Sequence, residues 1–191
     1  MNKKGTILNQ ETLKRLIYGN EEYQKGRTGL GDISEQIRRE TAKEGQKPYA
    51  IVITCADSRV IPEHIFSAGI GELFVIRVAG NVLDNHQLGS IEYAAAHLDA
   101  KMIILLGHTG CGAIEAAIHN DEDGFIKYIT DDIREAIGEE TDDYKACVLN
   151  VKHGVDRIRK EFEDHPEIPS EMLDIIGAVY HLDTGEVDWI K

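Results

Sequence analysis

The feature that most constrains this chain is a set of short, unbroken apolar runs separated by segments with helical periodicity. Ala50-Ile51-Val52-Ile53-Thr54, Leu73-Phe74-Val75-Ile76 and Met102-Ile103-Ile104-Leu105-Leu106 are β-rich and show no polar alternation. A strand with one wet face alternates apolar and polar residues, whereas a strand covered on both faces does not; the latter belongs to parallel sheets. A fourth run, Ile175-Ile176-Gly177-Ala178-Val179-Tyr180, comes late, and Asp183-Thr184-Gly185 reads as a turn into a short terminal strand over 187–190.

Helical patterns lie between the runs. Residues 11–23 place Leu13, Leu16, Ile17 and Tyr23 on one face, and residues 87–98 do the same with Leu88, Ile91, Ala95 and Leu98. Residues 144–162 repeat Val148, Val151, Val155, Ile158 and Phe162. Strand, helix and strand in this order predict right-handed crossovers. The expected fold is α/β: a mostly parallel central sheet of four to five strands flanked by helices. An amino-terminal helical arm occupies 1–30, and one domain covers 1–191. Residues 119–143, with Asp121-Glu122-Asp123 and Glu139-Glu140, read as a solvated acidic excursion with a short helix over 129–137. A calcium loop there is disfavoured, because the EF-hand ligand spacing is absent.

Charge and cysteine content narrow the function classes. The 191 residues can bury a core without disulfides. The formal net charge of -13, from 34 acidic against 21 basic residues, argues against nucleic acid or an anionic membrane as partner. No apolar h-region follows Met1-Asn2-Lys3-Lys4, and the run over 102–106 is too short to span a bilayer. Three cysteines in such a chain are expected as free thiols in a cytoplasmic protein.

The first and third runs end in chemistry. One leads into Cys55-Ala56-Asp57-Ser58-Arg59 and the other into Gly107-His108-Thr109-Gly110-Cys111-Gly112. Ligands in open α/β sheets collect at the carboxyl ends of strands, so both segments are expected to face one crevice. Two thiolates and an imidazole suit zinc, and three protein ligands leave a fourth position for water, as in catalytic sites. Singly, each residue reads as a buried small hydrophobe or a satisfied histidine; together at matched strand ends they read as Cys55, His108 and Cys111 on one metal. A redox cysteine pair is disfavoured because no CxxC spacing is present. A nucleotide site is disfavoured too, since no glycine-rich phosphate loop follows the first run. Asp57 could accept a hydrogen bond from metal-bound water or fill the fourth position itself, with Arg59 holding its carboxylate. Cys147, between Ala146 and Val148 in a helical pattern, reads as a buried small residue.

These paired signatures, Cys55-Ala56-Asp57-Ser58-Arg59-Val60 and His108-Thr109-Gly110-Cys111-Gly112, resemble those of the β-class carbonic anhydrases. The likeness continues through residues 16–21, 71–81, 90–94 and 177–180, and covers the chain from Glu11 onward apart from the acidic stretch. The resemblance implies Zn2+ on Cys55, His108 and Cys111, with Asp57 and Arg59 as the catalytic pair. It implies reversible hydration of carbon dioxide to bicarbonate by zinc-bound hydroxide. It further implies Gln46, Phe74 and Tyr93 as the substrate pocket, and a homodimer or dimer of dimers with pocket residues donated across the interface. Some members bind regulatory bicarbonate through a tryptophan three residues before the first cysteine; Val52 stands there, so Arg77 alone does not imply that site. Alternatives of the same centre are hydrolysis of carbonyl sulfide or carbon disulfide, or a non-catalytic zinc protein. His64, His86 and His97 are candidate proton shuttles.

Overall fold

The structure, a computed structural model, describes residues 3–27, 31–120 and 124–190, with side chains from residue 9 onward. Five strands form one sheet in the order β2-β1-β3-β4-β5: β1 Ala50–Thr54, β2 Leu73–Arg77, β3 Met102–His108, β4 Asp174–Tyr180 and β5 Val187–Ile190. The first four are mutually parallel, and β5 returns antiparallel to β4 through the turn closed by the Gly185 N–H to the His181 carbonyl. The expected mostly parallel sheet is present, and the late turn leads into β5 where predicted.

Every residue of β1 and β3 is buried, which is why neither run alternates. Successive side chains point to opposite faces. Ile51, Ile53, Ile103 and Leu105 enter one core, beneath α4 Asn85–His97, α5 Gly112–Ile118, α6 Ile126–Ile137 and α7 Asp143–Glu161. Ala50, Val52, Ile104 and Leu106 enter the other, with Leu16 of α1 Lys3–Gln24 and Ile65 of α3 Pro62–Ile65. The helix starts are locally encoded. Asp84 and Gln87 form a reciprocal capping box on α4, and the Asp142 carboxylate accepts from the Lys145 N–H on α7.

The arm, the acidic stretch and one unexpected helix refine the sequence expectation. The arm is one helix, Lys3–Gln24, whose carboxyl half docks on its own chain: Leu16 is fully buried, and the Asn20 amide donates to the carbonyls of Gly185 and Ile65 at 2.8 and 3.3 Å. The helix within the acidic stretch begins at Ile126 and buries Thr130, Ile133 and Ile137, so its inner face belongs to the core. Residues 121–123 lie outside the described residues. A further helix, α2 Glu35–Glu44, has no buried residue; the Ser34 hydroxyl caps its start and Gly45, at φ +84°, ends it.

Gly19 sets how closely α1 approaches α3: a Cβ there would lie 2.0 Å from the Phe66 carbonyl oxygen, and backbone cannot rotate away. Gly19→Ala should therefore lift α1 from the sheet and destabilise the fold by about 1–3 kcal/mol, read as a lower urea midpoint. An unchanged midpoint would show that α1 does not hold this register.

Candidate metal centre and its relatives

The sheet order reverses between β1 and β3: the chain leaves β1 for β2 on one side and later returns to β3 on the other. Crevices open at such switch points, beyond the carboxyl ends of the strands. Cys55 immediately follows β1, His108 is the last residue of β3, and Cys111 caps the amino end of α5. All three are buried, and one donor atom from each lies within 4.8 Å of the others; the two sulfurs are 4.0 Å apart.

The donors are oriented as ligands. The Nδ1 of His108 lies 2.9 Å from the Thr109 carbonyl, which can only accept, so Nδ1 carries the proton and Nε2 keeps its lone pair. That Nε2 is buried and has no hydrogen-bond partner. A buried imidazole lone pair facing two thiols fits a soft or borderline cation. The N–H groups of Asp57 and Gly80 approach the Cys55 sulfur at 3.4 and 3.3 Å. The Cys55 thiol is pushed down to about 4, first by the neighbouring Cys111 thiol, and by His108 and these two N–H groups against burial. The same sulfur–sulfur contact and burial push Cys111 up.

Asp57 sits at the rim of this cluster, held away from it by Arg59. The guanidinium grips the carboxylate with two bonds, Nε to Oδ1 at 2.9 Å and Nη2 to Oδ2 at 2.7 Å, and the Arg59 N–H adds a third at 2.9 Å. This grip holds the Asp57 carboxyl well below the usual carboxylate range. Oδ2 remains 4.0 Å from His108 Nε2. The Arg59 side chain also reaches the Gly110 carbonyl at 3.2 Å, tying the two ligand loops together. Arg77 is committed to the same loop, donating to the carbonyls of Cys55 and Asp57.

The remaining sequence candidates lie elsewhere in this chain. Gln46 is exposed, ahead of the amino end of β1, and that strand alone puts about 13 Å between its ends. Phe74 lies on edge strand β2, three residues before Arg77 or about 10 Å of strand. Its ring packs against Tyr93 of α4 at 6.1 Å, and Tyr93 against His97 at 5.4 Å. His64 and His86 are exposed. Cys147 is fully buried, as expected, and burial pushes its thiol up to about 12.

Sequence reasoning missed three residues around the centre. The Asp143 carboxylate accepts from the Gly110 N–H at 2.8 Å, and the Asn150 amide donates to the Gly80 carbonyl at 2.9 Å. Gly80, at φ +66°, supplies the N–H that meets the Cys55 sulfur. The readable signal was the glycine: a Cβ there would lie 2.7 Å from Ile133 and 3.1 Å from Ala113.

A doubly wound sheet with two thiols and an imidazole at its switch point defines the class: an α/β protein whose strand ends offer a donor set that could hold a metal ion. The carbonic anhydrase family profile matches residues 50–187. Carbonic anhydrase 2 of Mycobacterium tuberculosis is 36% identical over 191 residues, covering 90% of this chain and 88% of that protein. A carbonic anhydrase of Mycolicibacterium smegmatis is 33% identical over 172 residues, covering 79% of each. Among solved structures, the β-carbonic anhydrase CcaA matches with a TM-score of 0.65 and 25% identity over 93% of this chain and 98% of that one. A Coccomyxa β-carbonic anhydrase in complex with acetazolamide matches with a TM-score of 0.66 and 29% identity over 82% of each. The chain belongs to the carbonic anhydrase family, in its β class. Among the described residues, no helix is long and apolar enough to cross a membrane.

Replacing one donor should remove the metal while leaving the sheet intact. Purified Cys111→Ser protein is expected to carry at most a small fraction of the metal bound by the parent, measured by plasma mass spectrometry, with an unchanged far-ultraviolet circular dichroism spectrum. Equal metal content in the two proteins would mean that these donors are not the site.

Proposed function

We propose that this protein catalyses the reversible hydration of carbon dioxide to bicarbonate and a proton, using zinc held by Cys55, His108 and Cys111. The observation that carries the reading is the combination of three convergent buried donors with an Asp57 carboxylate pinned by Arg59 beside them rather than among them. Zinc in such a set supplies Lewis-acid activation of water near neutral pH, as it does in carbonic anhydrases with three histidine ligands. Two thiolates would leave more negative charge on a bound metal than neutral imidazoles do, so water activated there would be less acidic.

The protein's own groups then have defined work. Asp57, kept ionised by Arg59, accepts a hydrogen bond from the attacking water and aims its lone pair at the carbon of carbon dioxide. Arg59 fixes that carboxylate, and its bond to the Gly110 carbonyl fixes the second ligand loop. Burial of the donors excludes bulk water from the reacting atoms.

Gln46, Phe74 and Tyr93 gather toward the amino end of edge strand β2 rather than at their own metal loop, so the reading requires a second copy to bring them to the centre. A homodimer, alone or paired into a tetramer, supplies the amide donor and apolar wall that a small neutral substrate becoming an anion needs. The three buried free thiols fit a reducing cytoplasm.

Stopped-flow proton release with zinc-loaded enzyme should show turnover at both pH 7 and pH 8.5, because Asp57 is ionised and held by Arg59 across that range. The Cys111→Ser protein should be inactive, and Asp57→Asn should lose about 10²-fold or more. Turnover only at the higher pH would instead place Asp57 on the metal near neutrality. No turnover at either pH in zinc-replete protein would sink the carbon dioxide reading and make carbonyl sulfide the next substrate to assay.

The two-copy pocket has its own check. Gln46→Ala and Cys111→Ser subunits, mixed after dissociation, should recover activity above the mean of the two parents, since one site per mixed dimer regains a complete set. Activity that only averages would place Gln46 outside the site.

A further inference from the structure

Three of the residues on α7 nearest the centre, Asp143, Cys147 and Asn150, stand four and then three positions apart, which puts them on one stripe of the helix. Each reaches a different part of the metal centre. The Asp143 carboxylate accepts from Gly110, between His108 and Cys111. The Cys147 thiol donates to the His108 carbonyl at 3.3 Å. The Asn150 amide donates to the Gly80 carbonyl at 2.9 Å, and the N–H of Gly80 meets the Cys55 sulfur at 3.3 Å.

We infer that this stripe of α7 is a clamp that registers the ligand loops, and that Asn150 is the positioning residue that aims the Gly80 N–H at the Cys55 thiolate. This rests on the metal reading above. Asparagine is a poor helix former, and a buried one needs a partner; Asn150 is 5% exposed in mid-helix, so its place must be filled by a specific bond. The Gly80 carbonyl and N–H belong to successive peptides joined through its left-handed Cα; the Asn150 amide, together with the Asn81 N–H to the Val78 carbonyl at 3.0 Å, fixes the peptide after Gly80 and so limits the torsions that orient the N–H before it. A change in those torsions would turn the N–H away from the sulfur. A hydrogen bond to a thiolate ligand stabilises its charge and fixes the sulfur position, and loss of such outer contacts lowers metal affinity by about 10–100-fold. The close approach of α7 that this requires is built into β3: a Cβ at Gly107 would lie 2.7 Å from Val151 and 2.8 Å from the Cys147 sulfur.

The test compares Asn150→Ala, which deletes the side chain, and Asn150→Leu, which fills the space without a donor, with Val155→Ala. The last lies on the same helix in the core and bonds none of the loops. Each protein is loaded with zinc and with cobalt. The expected result is that a chelator strips zinc from both Asn150 variants about tenfold faster or more, and that their cobalt–thiolate charge-transfer band shifts. Val155→Ala should match the parent in both readouts, although its melting temperature falls. Stripping rates and bands in the Asn150 variants equal to those of Val155→Ala would overturn the inference. So would a parent-like Asn150→Leu, which would reduce Asn150 to packing. Failure of the parent to take up either metal would overturn the centre itself, which is a distinguishable outcome.

Discussion

Two sulfurs 4.0 Å apart in a buried site can both ionise only if something offsets their repulsion, and much of this structure is arranged to hold them there regardless. Two like charges at that distance repel by on the order of 4 kcal/mol at an effective dielectric near 20. The contact pushes the two thiols in opposite directions, Cys55 down and Cys111 up. A divalent cation would offset the repulsion, because it would attract both thiolates and offer a partner to the unpartnered His108 Nε2 as well. The cost of assembling the donors is therefore carried by the fold in advance, and it is recovered when metal binds.

That pre-assembly explains why the sheet is wound as it is. β1 and β3 are neighbours paired in register, Ile51 with Ile103 through Thr54 with Leu106, so their carboxyl ends arrive side by side although the residues are 52 apart. The Thr54 hydroxyl adds a bond to the Leu106 carbonyl at 2.8 Å immediately before the ligands. Full burial of both strands makes slippage costly, since a shift of one residue would exchange the side chains of the two cores. Arginines then set the loops: Arg77 holds the backbone of Cys55 and Asp57, and Arg59 joins Asp57 to Gly110. Asp57 is ionised because Arg59 grips it, and its distance from the donors follows from the same grip.

How much of this was legible depends on whether its cause is local. The strands were readable to within one or two residues, because burial on both faces writes itself as an unbroken apolar run. The convergence of Cys55, His108 and Cys111 was readable because two cysteines and a histidine, set beside glycines at matched strand ends, suit a cation far better than they suit plain packing. α2 was not readable: it buries nothing and rests on the Ser34 cap and the Gly45 stop. α6 was under-read because the exposed Asp131 and Glu135 mask the inward Ile129, Ile133 and Ile137. Asn150 reads as an ordinary polar position in an amphipathic helix, and only the fold places it beside Gly80, 70 residues away. Its role is a property of tertiary contact that no periodicity announces.

The placement of Gln46, Phe74 and Tyr93 bears on assembly as well. A strand rises about 3.3 Å per residue, so nothing at the amino end of β1 or β2 can bend onto a centre at the carboxyl end of the same sheet. Gln46 is exposed, and Tyr93 is 48% exposed on α4 beside the edge strand. Polar and aromatic groups left open along an unpaired edge are what a second sheet or helix can cover. A substrate held at the Cys55–His108–Cys111 cluster would meet those groups only on another copy of the chain. Catalysis would then require association, and the edge strand that a monomer must protect becomes the element that completes the site.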